Sequence, residues 1–169
     1  MKIAAPELYR PNVGLMLIGP ERRVFVGHRP RMPPELAWQM PQGGIDKGET
    51  PVEAACRELG EEVGTIKALL LRETRGWLQY DVPADVAPVY WKGKWRGQAQ
   101  KWFALAFTGR DSDIDLAAHD REFDEWRWAP AAELPTLIVA WKRPVYETVL
   151  KEFADLVSLP GARHSSGGS

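Results

Sequence analysis

The residues best suited to chemistry in this chain are three glutamates that lie close together in the sequence. The segment Arg57–Gly64 reads RELGEEVG and contains Glu58, Glu61 and Glu62. Residues three and four apart share one face of a helix, so each like-charged pair here costs about 0.2–0.5 kcal/mol. A divalent cation would reverse this repulsion, because Mg²⁺ prefers oxygen ligands such as carboxylates near phosphates. A solvated polar helix face is the alternative interpretation of the same residues.

The surrounding residues predict the helix that carries these carboxylates. Thr50 followed by Pro51 is typical of a helix start, because threonine caps the first turn and proline suits its first position. Gly64 suits the left-handed residue that ends a helix. Apolar residues between them follow helical spacing. They are Val52, Ala55, Cys56, Leu59 and Val63. We therefore expect a helix from Pro51 to Val63, with the glutamates beside its apolar stripe.

The rest of the chain predicts many strands and few helices, in the order strands, helix, strands, helices. Apolar or alternating runs predict strands at residues 13–19, 23–28, 88–91, 100–109 and 123–130. A short strand running into a loop is expected at 35–44, and a strand that turns at Gly76 and continues is expected at 66–82. Helices are expected at Pro130–Ile138 and Arg143–Val157. This order indicates an α+β protein with a mixed β-sheet rather than regular βαβ winding. We expect one domain over residues 1–160 and a disordered tail at 161–169.

Composition limits the class of protein. The chain has 169 residues, of which 44% are apolar and 27% charged, so one soluble globular domain is expected. The net charge of −1 argues against a nucleic-acid binder that relies on total charge, but it allows local basic patches. The single cysteine, Cys56, excludes an intramolecular disulfide and favours a reducing cytoplasm. We find neither an apolar run of about 20 residues nor a signal-peptide pattern, so a cytoplasmic protein without a membrane partner is expected.

A longer pattern surrounds the glutamates. From Gly43 the chain reads GGIDKGETPVEAACRELGEEVGT, and this segment resembles the Nudix box, the signature of the Nudix hydrolases. Thr65 is the one departure, because the pattern has an aliphatic residue there. The resemblance implies an αβα sandwich with a mixed β-sheet, in which a loop–helix–loop presents metal ligands to a substrate diphosphate. The matching residues are Gly43, Glu49, Arg57, Glu58, Leu59, Glu61, Glu62 and Gly64.

The resemblance also implies a metal site. Glu58, Glu61 and Glu62 would be ligands of Mg²⁺, Mn²⁺ or another divalent cation, and the backbone carbonyl at or near Gln42 would complete the site. Glu122 matches a family glutamate outside the box, which would be a further ligand or the general base. From its sequence context alone, a residue such as Glu122 is more often a surface glutamate. The base is therefore Glu58 or a glutamate outside the box.

Other residues of the box would support this site. The resemblance implies that Arg57 pairs with Glu49, which would hold the loop to the helix and orient the metal-binding carboxylates. An alternative explanation of Glu49 is an acid favoured by the helix dipole. Gly43 and Gly64 would be structural positions at the two ends of the motif.

A wider resemblance covers most of the chain. Stretches such as AWQMPQGGID, GQAQKWFALAF and EFDEWRW resemble bacterial RNA pyrophosphohydrolases, a branch shared with diadenosine polyphosphate hydrolases, from Tyr9 to Phe153. It implies hydrolysis at the 5′-triphosphate end of RNA, giving 5′-monophosphate RNA and so initiating mRNA decay. The alternative is hydrolysis of dinucleoside polyphosphates such as Ap4A or Ap5A at the same site. A module that only senses nucleotides is a third hypothesis, which the intact box carboxylates disfavour.

Five residues outside the box are candidates for substrate binding by the same resemblance. Arg10, Lys101 and Lys142 match basic positions suited to a polyphosphate, although each is also explained as a solvated charge. Tyr80 would stack on a base or bind a phosphate, or else pack on the sheet. Trp141 would offer a stacking face worth about 1–3 kcal/mol per base, or else pack a helix.

Two further segments bear on the substrate. At His28-Arg29 the family has two basic residues, so contacts to phosphate or base are expected to differ there. The segment Asp81–Gly97 is rich in Lys, Arg and Trp. It is expected either to line the RNA side of the site or to form an exposed loop.

Overall fold

The computed structural model describes residues 3–33, 37–86, 88 and 90–157. The tail expected at 161–169 lies outside these ranges, as does part of the strand expected at 35–44. Within them, eight strands form one sheet. The strands are β1 (Tyr9–Ile18), β2 (Val24–His28), β3 (Trp38–Gln39), β4 (Gln42–Gly44), β5 (Ala68–Glu73), β6 (Leu78–Asp81), β7 (Gly97–Phe107) and β8 (Glu125–Ala129).

The sheet is mixed and is organised around two long parallel strands. β1 and β7 pair in parallel from Tyr9↔Gly97 to Ile18↔Ala106. β2 and β4 pair antiparallel with β1, while β5 and β6 pair antiparallel with different parts of β7. β3 and β8 pair antiparallel with β2. The expectation of a mixed sheet is confirmed.

Helices cover both faces of this sheet. α1 (Pro51–Glu58) packs on one face, whereas α2 (Leu134–Leu137) and α3 (Arg143–Glu152) pack on the other. Side chains of a strand alternate between faces, so neighbouring residues of β7 enter different apolar clusters. Trp102 joins the cluster of α3, and Phe103 joins the cluster of α1. The αβα sandwich implied by the resemblance is confirmed.

α1 begins and ends much as its sequence indicates, but its last part differs. Thr50 and Glu53 form a capping box, in which each side chain accepts a hydrogen bond from the other's backbone N–H. The α-helix ends at Glu58 and continues as a π-helical turn over Leu59–Val63, so the expected uninterrupted α-helix is wrong at this point. Gly64 ends the motif with φ at 81°, a conformation that favours glycine.

Elsewhere the structure corrects three expected elements. The strand expected at 88–91 is wrong, because Trp91 begins a 3₁₀ turn and has φ at 49°. The C-terminal helices are shorter than expected, since α2 follows a 3₁₀ turn and α3 ends at Glu152. No helix in the described ranges has the length and apolar character that a membrane span requires.

The α3 face of the central strands changes from apolar to polar along its length. On β7, Gln98 and Gln100 precede the buried Trp102 at alternate positions, so all three point to the same face. On β1, Arg10 and Asn12 pair with these two glutamines in the parallel register. Polar residues of both strands therefore meet at one end of the sheet.

Candidate active site

A cleft of about 750 Å³ opens where this polar end of the sheet meets the glutamates that follow α1. The residues predicted from the sequence that line it are Arg10, Gln42, Gly43, Glu58, Glu61, Glu62, Tyr80, Glu122 and Lys142. Tyr90 and Trp91 also line it and belong to the segment Asp81–Gly97, which was expected either to line the RNA side of the site or to form an exposed loop. Sequence reasoning did not assign the remaining lining residues, which are Asn12, Arg29, Gln39, Gly44, Gln98, Ala118, His119 and Asp120.

Arg57 lies behind the cleft and connects its acidic residues. Its Nε and Nη2 donate to the two oxygens of Glu49 at 2.8 and 2.9 Å, and Nη2 also donates to the Gly44 carbonyl at 2.8 Å. Its Nη1 donates to Glu58 at 2.8 Å and to Glu61 at 3.2 Å. Hydrogen bonding from Arg57 lowers the pKa of Glu49 to about 2. One guanidinium therefore joins the loop after β4 to the helix that carries the glutamates.

The Glu58 side chain is buried, whereas the Glu62 side chain is half-buried at the cleft. Glu58 is 7% exposed and lies directly over β4, where a Cβ added to Gly43 would be 1.9 Å from its carboxyl carbon. Glu62 accepts a hydrogen bond from the backbone N–H of Gln42 at 3.2 Å. Burial raises the pKa of Glu58, against the opposing effect of the neighbouring guanidinium. Burial, followed by the charges of Glu58 and Glu122, raises the pKa of Glu62 well above its usual value.

The chemistry of these donors fits a hard divalent cation. Carboxylate oxygens are the ligands that such cations prefer, and a bound cation would remove the cost of burying neighbouring negative charges. In the described ranges, however, no three His, Cys, Asp or Glu side chains are grouped closely enough to hold one ion. Glu58 and Glu61 both accept hydrogen bonds from Arg57 in this arrangement. The role of the three glutamates as metal ligands stays a prediction.

A buried network of amides supports the strand beneath the glutamates. Gln100 Nε2 donates to Asn12 Oδ1 and to Gln42 Oε1, both at 2.8 Å. Trp102 Nε1 donates to Gln100 Oε1 at 3.1 Å. The network fixes the side chain of Gln42, whose backbone binds Glu62. The only signal of this network in the sequence is the presence of amides at alternate positions of an otherwise apolar strand.

The floor of the cleft continues from Arg10 to Tyr80. Arg10 Nη1 donates to Gln98 Oε1 at 3.0 Å, and Gln98 Nε2 donates to the Tyr80 hydroxyl. Burial raises the pKa of Tyr80, so its hydroxyl stays protonated at neutral pH. A cation and a phenol, 70 residues apart in the chain, are thus held side by side through one glutamine.

Lys142 is a buried cation beside aromatic rings. Its Nζ lies 5.7 Å from the ring centre of Tyr80 and 5.2 Å from that of Trp141. Burial, with a smaller effect from Arg29, lowers the pKa of Lys142 to about 8. Trp141 does not line the cleft; it packs behind Tyr80 with ring centres 5.5 Å apart. A phosphate in the cleft would provide the negative charge that this ammonium lacks among its described contacts.

Glu122 and Arg29 form an ion pair at another side of the cleft. Arg29 Nη2 lies 3.1 Å from Glu122 Oε1. His28 points elsewhere and contacts Asp124 at 2.6 Å. Of His28 and Arg29, Arg29 is therefore the residue that supplies a cation to the cleft. Sequence reasoning did not assign it this role.

Lys101 is the predicted phosphate ligand that the structure does not bring to the cleft. It occupies β7 between Gln100 and Trp102, so its side chain points to the opposite face, the face of Phe103. Gln98, on the same strand, points to the cleft side instead and lines the cleft.

Comparison with known proteins identifies the family. Residues 8–149 match the NUDIX domain. The RNA pyrophosphohydrolase of Rhodospirillum rubrum is 56% identical over 86% of this chain and 87% of its own length. The RNA pyrophosphohydrolase of Roseobacter denitrificans is 53% identical over 86% of this chain and 91% of its own length. That of Rickettsia bellii is 47% identical over 88% of this chain and 92% of its own length. The chain belongs to the Nudix family.

Solved structures share the fold at low sequence identity. The dihydroneopterin triphosphate pyrophosphohydrolase of E. coli superposes with a TM-score of 0.62 at 22% identity, covering 86% of this chain and 99% of that chain. The Ap4A hydrolase of C. elegans, in a binary complex, gives a TM-score of 0.59 at 17% identity, with coverage of 85% and 98%. These likenesses establish the fold.

Proposed function

We propose that this chain is a Nudix pyrophosphohydrolase that acts on the 5′-triphosphate end of RNA and leaves a 5′-monophosphate, the step that initiates mRNA decay. The observation that carries the proposal is the cleft, in which Glu58 and Glu62 share one space with Arg10, Arg29 and Lys142. Carboxylates suit the cations that accompany phosphates, and guanidinium and ammonium groups suit phosphate oxygens. Similarity to three proteins named RNA pyrophosphohydrolase supports RNA as the substrate.

The proposed cofactor is Mg²⁺, with Mn²⁺ or another divalent cation as a substitute. Glu58, Glu61 and Glu62 would hold it, together with the carbonyl of Gln42 and the carboxylate of Glu122. When bound, such ions shield phosphate charge, lower the pKa of water and stabilise the leaving phosphate. Burial of the carboxyl groups of Glu58 and Glu62 favours an arrangement that contains a cation, because it penalises their charges without one.

A carboxylate must accept the proton of the attacking water, and we assign this role to Glu58 or Glu122. The variants Glu58→Gln and Glu122→Gln separate the two. Loss of the base removes the acidic limb of the pH–rate profile and is not restored by more Mg²⁺. Loss of a residue that is only a ligand is expected to be compensated in part by a higher Mg²⁺ concentration.

The substrate would be held by cationic side chains and by an aromatic ring. Arg10, Arg29 and Lys142 would bind the phosphates through charge-assisted hydrogen bonds. Tyr80, with Trp141 packed behind it, would offer a ring to the first base. Arg57 would act as a positioning residue through its contacts to the glutamates.

The test uses purified protein, Mg²⁺ and a 5′-triphosphorylated RNA oligonucleotide labelled at its γ-phosphate. We expect release of pyrophosphate, or of two phosphates in succession. We also expect the RNA product to become sensitive to a 5′-monophosphate-dependent exonuclease. Glu58→Gln is expected to lower kcat by at least about 100-fold. Turnover of Ap4A with no action on RNA would reverse the ranking of the two substrates.

The second candidate substrate is a dinucleoside polyphosphate such as Ap4A or Ap5A. Tyr80, Tyr90 and Trp91 in the lining of the cleft favour it, because they offer ring surfaces to more than one base. A module that binds nucleotides without hydrolysing them remains the third hypothesis. Hydrolysis that depends on Glu58 would exclude that hypothesis.

The domain and its compartment are proposed from simpler features. The family match over residues 8–149 supports a single domain over 1–160. The single cysteine, Cys56, is consistent with a reducing cytoplasm.

A further inference from the structure

The basic–aromatic loop, by which we mean residues 83–86, 88 and 90–96, begins and ends beside the floor of the cleft. The loop connects β6 to β7, and its base is closed by a hydrogen bond from Val82 N to Arg96 O at 2.9 Å. Tyr80 and Gln98, which line the cleft, lie just outside this base on the two strands. The loop therefore stands at the rim of the cleft.

One part of the loop contributes aromatic rings to the cleft wall. Tyr90 and Trp91 both line the cleft, with ring centres 5.4 Å apart. Tyr90 meets Trp141 edge-on at 6.0 Å, and the Arg10 guanidinium lies 5.8 Å from the ring centre of Trp91. This part of the loop is thus tied to the residues proposed to hold the triphosphate and the first base.

The next residues of the loop present positive charge to solvent. Lys92 and Lys94 are exposed, and Lys94 Nζ lies 4.9 Å from the ring centre of Trp95. The loop contains three basic residues and one acidic residue, whereas the whole chain has a net charge of −1. Positive charge and an aromatic ring on one loop are the combination that single-stranded nucleic acid binds.

A strained turn separates the two parts. Trp91, Lys92 and Gly93 have φ values of 49°, 56° and 73°. A left-handed conformation is unfavourable for a residue other than glycine. Strain of this kind is found where ligands bind. Here it places Trp91 in the cleft lining and Lys92 in solvent.

We propose that the basic–aromatic loop binds the body of the RNA, meaning the nucleotides that follow the triphosphorylated end. This inference rests on the proposed RNA pyrophosphohydrolase function. A cleft of about 750 Å³ encloses one ligand of ordinary small-molecule size, so a longer RNA passes over the rim. There Lys92 and Lys94 contact backbone phosphates, and Trp95 offers a face to a base.

The experiment compares the double variant K92Q/K94Q with wild type on two substrates, a 5′-triphosphorylated 12-nucleotide RNA and a 5′-triphosphorylated dinucleotide. KM for the 12-nucleotide RNA is expected to rise about fivefold with kcat unchanged, because two exposed charge contacts are lost. KM for the dinucleotide is expected to stay the same. The slope of log(kcat/KM) against log salt for the longer RNA is expected to become shallower by about 1.4.

The matched control, R75Q/K151Q, removes two exposed positive charges that do not line the cleft, and it is expected to behave as wild type. Trp95→Ala is expected to raise KM for the longer RNA, and Trp95→Phe to restore it, since any aromatic ring can stack. An unchanged KM and salt slope in K92Q/K94Q, or an equal change for both substrates, would overturn this inference and leave the proposed function intact. A wild-type protein that hydrolyses neither RNA would overturn both.

Discussion

Arg57 shows at the scale of a single residue why an acidic cluster needs a particular cation. Its guanidinium makes two contacts to Glu49 and further contacts to Glu58, Glu61 and the Gly44 carbonyl. A guanidinium presents several N–H donors in a fixed plane, whereas an ammonium is a point charge on a flexible stem. A lysine at this position would keep the charge but could not hold the loop and the glutamates together.

Arg57→Lys is therefore expected to lower kcat about 10- to 100-fold, the usual effect of losing a group that orients metal ligands. The measurement is kcat on triphosphorylated RNA, with a thermal unfolding curve to confirm the fold. Arg72→Lys is the control, because Arg72 makes a similar two-pronged contact to Asp155, at 2.7 and 2.8 Å, on the surface. A comparable loss in both variants would contradict a specific role of Arg57.

Lys142 shows how a buried charge links stability to substrate binding. Its pKa is lowered to about 8, mainly by burial, whereas an unfolded lysine has a pKa of about 10.4. Between these two values the unfolded chain binds more protons than the folded protein, so the contribution of Lys142 to stability becomes more favourable as pH rises. Below pH 8 the full cost of burying the ammonium remains.

Lys142→Met is expected to stabilise the protein at pH 7 and to lose this advantage as pH rises from about 8 towards 10.4. The same change is expected to raise KM about tenfold, because a charged hydrogen bond to phosphate is lost. Urea unfolding at several pH values and steady-state kinetics measure the two effects. The control is Lys151→Met at an exposed position of α3, where neither effect is expected. A destabilised Lys142→Met at pH 7 would show that the ammonium is favourably paired in the folded state.

At the scale of elements, the site depends on how closely the end of α1 approaches β4. Gly43 has no Cβ, and the carboxyl group of Glu58 occupies that space. Gly48, in the loop between them, offers the reverse case: nothing lies within 4 Å of an added Cβ, but φ is +83°. The two glycines therefore separate the need for space from the need for an unusual backbone conformation.

Gly43→Ala is expected to lower kcat at least about tenfold, because the displaced Glu58 carboxylate can no longer take its position. Gly48→Ala is expected to cost about 1 kcal/mol of stability and to leave kcat nearly unchanged. Kinetics and thermal unfolding of both variants test the pair. If Gly43→Ala kept full activity, contact between Glu58 and β4 would be irrelevant to the reaction.

At the scale of the whole molecule, the carboxylates of Glu58 and Glu62 in the cleft predict that divalent cations stabilise the folded protein. An ion that binds only the folded state adds about 2.7 kcal/mol at 100 times its Kd. For a domain of this size, such a gain raises Tm by roughly 5–10 °C. Thermal unfolding with Mg²⁺ and with EDTA measures this shift. The double variant E58Q/E62Q is expected to show no shift, and an equal shift in that variant would place the ion elsewhere.

Sequence reasoning recovered the part of the site that is local. Glu58, Glu61 and Glu62 are neighbours in the chain, and their spacing alone indicated a shared surface. Whether they bind a metal ion stays a prediction. The π-helical turn at Leu59–Val63 was not predicted, because a single widened turn leaves the helical pattern of apolar residues nearly intact.

Residues far apart in the chain were harder to assign. Lys101 and Gln98 lie in one strand, and only the register of β7 against β1 decides which of the two side chains faces the cleft. In the sequence, Gln100 is an ordinary polar residue of a strand. Its role in the amide network follows only from its hydrogen bonds to Asn12 and Gln42 in the folded protein.

The sequence by itself determined the class of fold, the acidic helix and its caps, since these follow from periodicity and contacts within a few residues. The resemblance named Arg10, Tyr80 and Lys142 as candidates, but only the tertiary structure placed them around that helix, left Lys101 out and added Arg29. Arg10, Arg29, Tyr80 and Lys142 come from four separate segments and meet through pairing of β1 with β7 and packing of the helices. Contacts of this kind depend on register and on packing between distant segments, and neither is encoded in local spacing.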